Sequence, residues 1–102
     1  MFFHNIKAMM GFDVTSFLAE LIGTFVFISV ILVEGTPLAI GIALIAVIFL
    51  IGKVSGAHVN PAISFVMWLK NDISSSKLFA YIIAQLFGGC LALLWYNNTK
   101  KK

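Results

Sequence analysis

In the stretch "GKVSGAHVNPAISF", residues 52 to 65, Ser55, His58 and Asn60 gather beside Gly56 and Pro61 at the end of a long apolar run. The Asn-Pro pair has a definite physical use. An Asn at an N-cap offers its side-chain oxygen to a first-turn N–H, and a Pro at the first helical position removes only an N–H that lacks a partner there anyway. Such a helix start concentrates about half a positive charge. The Asn amide adds donors at the same point. Placed at membrane depth, this start is a fixed, uncharged donor site that receives polar oxygens and repels cations. Asn-Pro alone opens turns and helices everywhere, so the elements around it decide its meaning.

Those elements are apolar. Of 102 residues, 61% are hydrophobic and 11% charged, with a mean hydropathy of +1.04; a soluble domain carries about 25% charged residues. The composition predicts an integral, multi-pass membrane protein with room for about three spans of about 20 residues, and leaves open which membrane holds it. The first span is expected over Phe17 to Val33 and the second over Leu38 to Ile51, running on into Gly52 to Val54; "EGTP" between them is a turn. Lys7 precedes the first apolar run, but Glu20 lies inside it and no clean cleavage site follows, so it reads as a retained helix rather than a signal peptide.

The third apolar piece, Pro61 to Leu69, is different. Nine residues make about 13 Å of helix, roughly half of a 30 Å hydrocarbon core. It cannot cross. A polar connector, Lys70 to Lys77, leads to a last span over Leu78 to Tyr96, with Trp95 and Tyr96 as an interfacial anchor. Non-helical backbone at membrane depth survives only where protein buries it or water lines it, so a half-length helix entering from a loop argues for a cavity. The expected fold is all-α and transmembrane: three spanning helices plus one re-entrant half-helix. Residues 1–102 read as one unit, with an N-terminal segment over 1–16, whose Asp13, Thr15 and Ser16 offer N-cap oxygens, a membrane region over 17–96, and a Lys-rich tail over 97–102.

The last span also carries Ala80, Ala84, Gly88 and Ala92, a small residue every four positions, and the first offers Ala19 and Gly23. In lipid such a stripe admits a close helix neighbour. Packing within one chain and a seam between chains both fit it.

"SGAHVNPA" at Ser55 to Ala62, after a span and before a half-length helix, resembles the first signature of the aquaporin and glycerol-facilitator family, the major intrinsic proteins. "AELIGTF" at Ala19 to Phe25 is similar to the family's first helix and "YIIAQLFGG" at Tyr81 to Gly89 to its third, so the likeness covers nearly everything from Phe17 to Tyr96. The resemblance implies that Asn60, Pro61 and Ala62 are the signature triplet whose Asn donates to the permeating molecule, and that His58 braces the re-entrant loop. It implies that Glu20 and Gln85 hold the loop backbone from behind, and that Ile40 stands where members usually place an aromatic at the narrowest constriction. An Ile there makes that point wider and wholly apolar. Read without the family, Glu20 either snorkels from its helix start or faces a cavity; a loop rich in unmet N–H groups favours bracing. His58 lacks a neighbouring Cys, Asp or second His for metal ligation, and no metal or cofactor is expected.

The chain also departs from the family pattern. A usual member carries two inverted halves, each with a half-helix and a triplet; this sequence corresponds to one half and cannot line a whole pore alone. The family's constriction uses an arginine just after the second triplet, whereas Ile63 follows Ala62 and all seven basic residues are lysine. Two copies inserted in opposite orientations would rebuild the architecture. In the family's orientation Lys7, Lys53, Lys70 and Lys77 face one side and Lys100 to Lys102 the other, almost no bias for topology.

The leading expectation is a channel subunit for water or small neutral solutes such as glycerol. Its partners would be the lipid bilayer, the solute, and either further copies in a homo-oligomer, antiparallel ones included, or a separate partner half. The alternative is a channel-inactive truncated or regulatory membrane protein that packs against full-length channels. An enzyme is not expected: "GKVS" is not a phosphate loop, and no catalytic set of nucleophile, base and acid is evident. Nor is nucleic-acid binding, since no folded basic face accompanies the lysine tail. Cys90 is the only cysteine, so no intrachain disulfide forms.

Overall fold

The structure is a computed structural model and describes residues 11–100. Lys7, Lys101, Lys102 and most of the N-terminal segment lie outside them. Four helices account for nearly all of it: α1 (Val14–Val33), α2 (Pro37–Ser55), α3 (Pro61–Leu69) and α4 (Ser75–Lys100). Three of them, α1, α2 and α4, are long and apolar enough to cross a membrane, and α3 is not. The chain is an integral membrane protein built as one half-repeat, with the described residues extending 45 Å along their longest axis.

Local chemistry sets the ends. Asp13 caps α1, its side chain accepting from the Thr15 N–H at 3.0 Å, so α1 begins three residues ahead of its apolar run. Thr36 caps α2 through the Ala39 N–H at 3.3 Å, and Pro37 fills the first helical position. Gly56, at φ +89°, ends α2 in the left-handed region that glycine occupies without penalty. Ser74 Oγ accepts from the Lys77 N–H at 3.1 Å, so α4 starts at Ser75 and the connector shortens to five residues, 70–74. At its far end α4 runs on through Asn97, Asn98 and Thr99 to Lys100, because nothing there breaks a helix. Thr99 Oγ1 turns back onto the Trp95 and Tyr96 carbonyls.

Helix α1 is the hub and packs against both α2 and α4, while α3 lies along α4. Closeness comes from small residues. Ala80, Ala84, Gly88 and Ala92 are all buried within the chain. A side-chain carbon on Gly88 would collide with the Leu21 carbonyl oxygen and crowd the Phe25 N–H and Thr24 Cβ. Gly23 does the same for α2, where Ile51 and Val47 press against α1. The outer faces remain apolar and exposed, with Leu38, Ile45, Phe49 and Leu50 on α2 and Phe79, Leu86 and Leu94 on α4. That is the surface expected of spans facing lipid.

Candidate functional site

The loop of residues 56–60 turns the chain back into the bundle. It needs strained backbone to do so: Ala57 sits at φ +50° and Val59 at φ +45°, a region that costs non-glycine residues about 1–2 kcal/mol each. Both are buried, at 7% and 5% exposure. A loop like this, with its N–H groups turned inward, persists only if something accepts from them.

Glu20 does. Its carboxylate, wholly buried one and a half turns into α1, accepts from the His58 N–H at 2.9 Å and the Ser55 hydroxyl at 2.7 Å through Oε2. Through Oε1 it accepts from the Val59 N–H at 2.8 Å and the Gln85 side-chain amide at 3.0 Å. Four donors on two oxygens fill the carboxylate's capacity. This is how a buried acid sits at membrane depth with no cation against it: the only salt bridge among the described residues is Lys70 to Asp72, at an exposed corner.

A second layer ties the network to α3 and α4. The Gln85 amide also donates to Ser64 Oγ at 3.0 Å, and Ser64 Oγ lies 2.9 Å from His58 Nδ1. Ser64 Oγ accepts from Gln85 and has both a proton to give and a second lone pair to offer, so it pairs with Nδ1 in either neutral tautomer of His58. Tyr81, fully buried, donates to the Ser55 carbonyl at 2.6 Å and meets the His58 ring edge to face at 5.0 Å. Ser55 Oγ in turn accepts from the Ala57 N–H at 3.1 Å, and Ser16 Oγ donates to the Val54 carbonyl at 3.0 Å. Glu20, His58 and Gln85 are thus brought together.

Asn60 and Pro61 open α3. Asn60 is extended, at φ −157°, and its Oδ1 accepts from the Ala62 N–H at 2.8 Å. Asn60, Pro61 and Ala62 are exposed. The depth of this start follows from its neighbours. Val59 packs at Gly23, and Pro61 lines one groove with Thr24, Gln85 and Gly89, residues near the middle of α1 and α4. From there α3 runs back beside the first half of α4 until Trp68 donates to Ser75 Oγ at 3.1 Å. The half-helix therefore begins at mid-span and returns to the end from which α1 and α4 start. Its lower half is filled and its upper half is not.

Ile40 stands apart from this network. It is half-buried in the first turn of α2, fifteen residues before Ser55 and so about 22 Å away along the helix. Ser64 and Tyr81 carry much of the network without having been singled out from sequence. Their signals are positional: Ser64 lies one turn after Asn60 in an apolar half-helix, and Tyr81 one turn before Gln85 on the same face. Among the described residues no three His, Cys, Asp or Glu side chains gather as a metal-ligating set.

Comparison with known proteins places these features. The profile of the family described as Major intrinsic protein matches residues 30–102. The chain is 34% identical to Aquaporin Z of Photorhabdus laumondii over 89 residues, covering 72% of this chain and 38% of that protein. It is 35% identical to Glycerol uptake facilitator protein-like 6 of Lactiplantibacillus plantarum over 85 residues, covering 74% and 39%. With the Lens fiber major intrinsic protein of Rattus norvegicus it shares 45% identity over 63 residues, covering 61% and 24%. The chain thus spans well under half the length of these relatives. No solved structure matches it significantly.

Proposed function

The chain belongs to the major intrinsic protein family, and from that premise we propose that it forms one half of a channel for water or small neutral solutes such as glycerol. The observation that carries the reading is the half-helix α3, which starts at mid-span with Asn60 exposed, on a loop locked by the Glu20 carboxylate. The N-terminus of α3 presents about half a positive charge, and the Asn60 amide presents neutral donors beside it. A solute oxygen is oriented by that pair and leaves again, since no full charge holds it. A cation is repelled.

The bracing by Glu20, Ser64 and Gln85 has a role in this scheme. Fixed donors cost no reorganisation as each solute passes, and a rigid loop keeps them fixed. Ile40 and Ile63 make the lining apolar where they face the pathway. These 102 residues hold no arginine, so what this half contributes to selection is size and donor geometry rather than a fixed side-chain charge. One half-helix of about 13 Å spans half of the apolar thickness, so conduction needs a second half-helix to line the other half. The test is osmotic shrinkage of liposomes carrying the chain, in water and glycerol gradients. Shrinkage faster than that of protein-free liposomes is expected if this chain builds the pore by itself, and shrinkage equal to theirs from folded protein rejects the self-sufficient channel and moves the search to the other half.

A further inference from the structure

Helix α3 is held tightly at one end only. Ser64 is its one buried residue, while Phe65, Val66 and Leu69 below it are 48–60% exposed. The upper turn is firm. Val59, just ahead of Asn60, is bonded to Glu20, and Ser64 to Gln85 and His58. These two anchors lie within about 7.5 Å of each other along the chain. Points so close fix where α3 starts, but not the direction in which it runs.

The direction is set at the foot. Backbone bonds fold Lys70, Asn71 and Asp72 onto the end of α3, with Asn71 at φ +72°, so the foot is one solid piece. Ile73 and Ser74 alone then separate it from α4. That short link tethers the foot without fixing it. Among the described residues one side-chain hydrogen bond crosses the gap: the Trp68 indole N–H donates to Ser75 Oγ, in the first turn of α4, at 3.1 Å. The Phe65 ring backs the indole at 5.7 Å. The leverage is large. Trp68 stands eight residues from Asn60, about 12 Å along the helix. A foot displaced by about 2 Å therefore turns the axis by about 10°, where a binding constellation must be held to about 10–20°. The Asn60 side chain turns with the axis, because its Oδ1 is bonded to the Ala62 N–H in the same first turn.

We infer that Trp68 is a positioning residue: through Ser75 it fixes the tilt of α3, and with it the direction in which Asn60 and the first-turn N–H groups present their donors. The inference rests on the channel reading and adds to it a residue at the far end of the half-helix.

Spin–spin distances in the full chain in liposomes test it. Leu18→Cys and Leu69→Cys, at positions 48% and 60% exposed, carry the labels from α1 to the foot on a Cys90→Ser background. The labelled parent is expected to give one narrow distance. Trp68→Phe keeps a ring and loses the N–H, and Ser75→Ala removes the acceptor. Each is expected to shift the mean distance by about 2 Å or more, the slip that turns the axis by about 10°, with helicity and melting temperature at the parent values. The two together should do no more than either alone, and Ser75→Thr, which keeps the hydroxyl, should leave the distance in place. Distances unmoved by both Trp68→Phe and Ser75→Ala, or moved as far by Ser75→Thr, overturn the inference. Water and glycerol flux through the unlabelled chains separates the two readings. A shifted foot with a several-fold loss of flux, restored in Ser75→Thr, upholds both. A shifted foot in a parent that conducts nothing upholds the role of Trp68 and sinks the self-sufficient channel. A shifted foot that leaves parent flux and its water-to-glycerol ratio unchanged sinks the positioning role and keeps the channel.

Discussion

Glu20 and Val59 lie 39 positions apart in sequence, yet the Glu20 Oε1 oxygen accepts the Val59 N–H at 2.8 Å and so holds a β-branched residue at φ +45°. Isolated β-branched residues avoid that region. The carboxylate on α1 therefore selects the loop conformation, and the loop conformation sets where α3 begins.

Replacing Glu20 by Gln keeps the shape and removes one acceptor oxygen. The new amide must point its N–H groups at either the Ser55 and His58 donors or the Val59 and Gln85 donors. Two buried donors left unmet, at about 1–3 kcal/mol each, predict a loss of about 2–6 kcal/mol. Denaturant unfolding in detergent micelles measures this, and a stability unchanged from the parent contradicts the bracing role.

Neighbouring glycines on α4 should respond in opposite ways. Gly88→Ala drives a methyl into the α1 backbone at Leu21 and Phe25, whereas the same methyl at Gly89 meets only Ile28 in ordinary contact. Overpacking of this kind costs about 1–3 kcal/mol. Thermal melts followed by circular dichroism should show Gly88→Ala well below the parent and Gly89→Ala at or above it. Equal melts would show that α1 and α4 are not in close backbone contact.

Ala57→Gly tests the strain. At φ +50° alanine bears about 1–2 kcal/mol that glycine does not, partly offset by about 0.4–1 kcal/mol of added freedom in the unfolded chain. Stability should therefore hold or rise by up to about 1.6 kcal/mol. A loss above 1 kcal/mol in the same unfolding assay would mean that the loop does not sit in the left-handed region.

Much of this was legible in the sequence, and the unevenness has a physical cause. The bounds of α3 are written locally, by Asn60-Pro61 at one end and the polar Lys70-Asn71-Asp72 at the other, so the expected nine-residue piece coincides with the helix. The span ends were less visible because hydropathy marks where a helix meets lipid, not where it stops. Asp13 and Ser74 extend α1 and α4 by capping, and α4 continues into polar solvent-side sequence because no Gly or Pro interrupts it. Residues such as Ser64 and Tyr81 were harder still. Serines and tyrosines are common in spans, and only the fold brings Ser64 to both His58 and Gln85. The family resemblance pointed to Glu20 and Gln85, while the four-donor arrangement around the carboxylate needed the fold. For the small-residue stripe, sequence left its neighbour open; in the structure Gly88 lies against α1 of the same chain.

The central claim is that Asn60 offers a neutral donor site on a conducting path, and one substitution isolates it. Asp is as good an N-cap as Asn, so Asn60→Asp should keep the start of α3 and change stability by less than about 1 kcal/mol, while replacing the amide donors with a negative charge. Stopped-flow shrinkage of liposomes is the measurement, comparing parent chain, Asn60→Asp and no protein over a range of temperatures. The account predicts fast water flux with a low activation energy for the parent, and a several-fold loss for Asn60→Asp in protein of unchanged helicity. Parent flux equal to that of protein-free liposomes, or flux that Asn60→Asp leaves untouched, would contradict it.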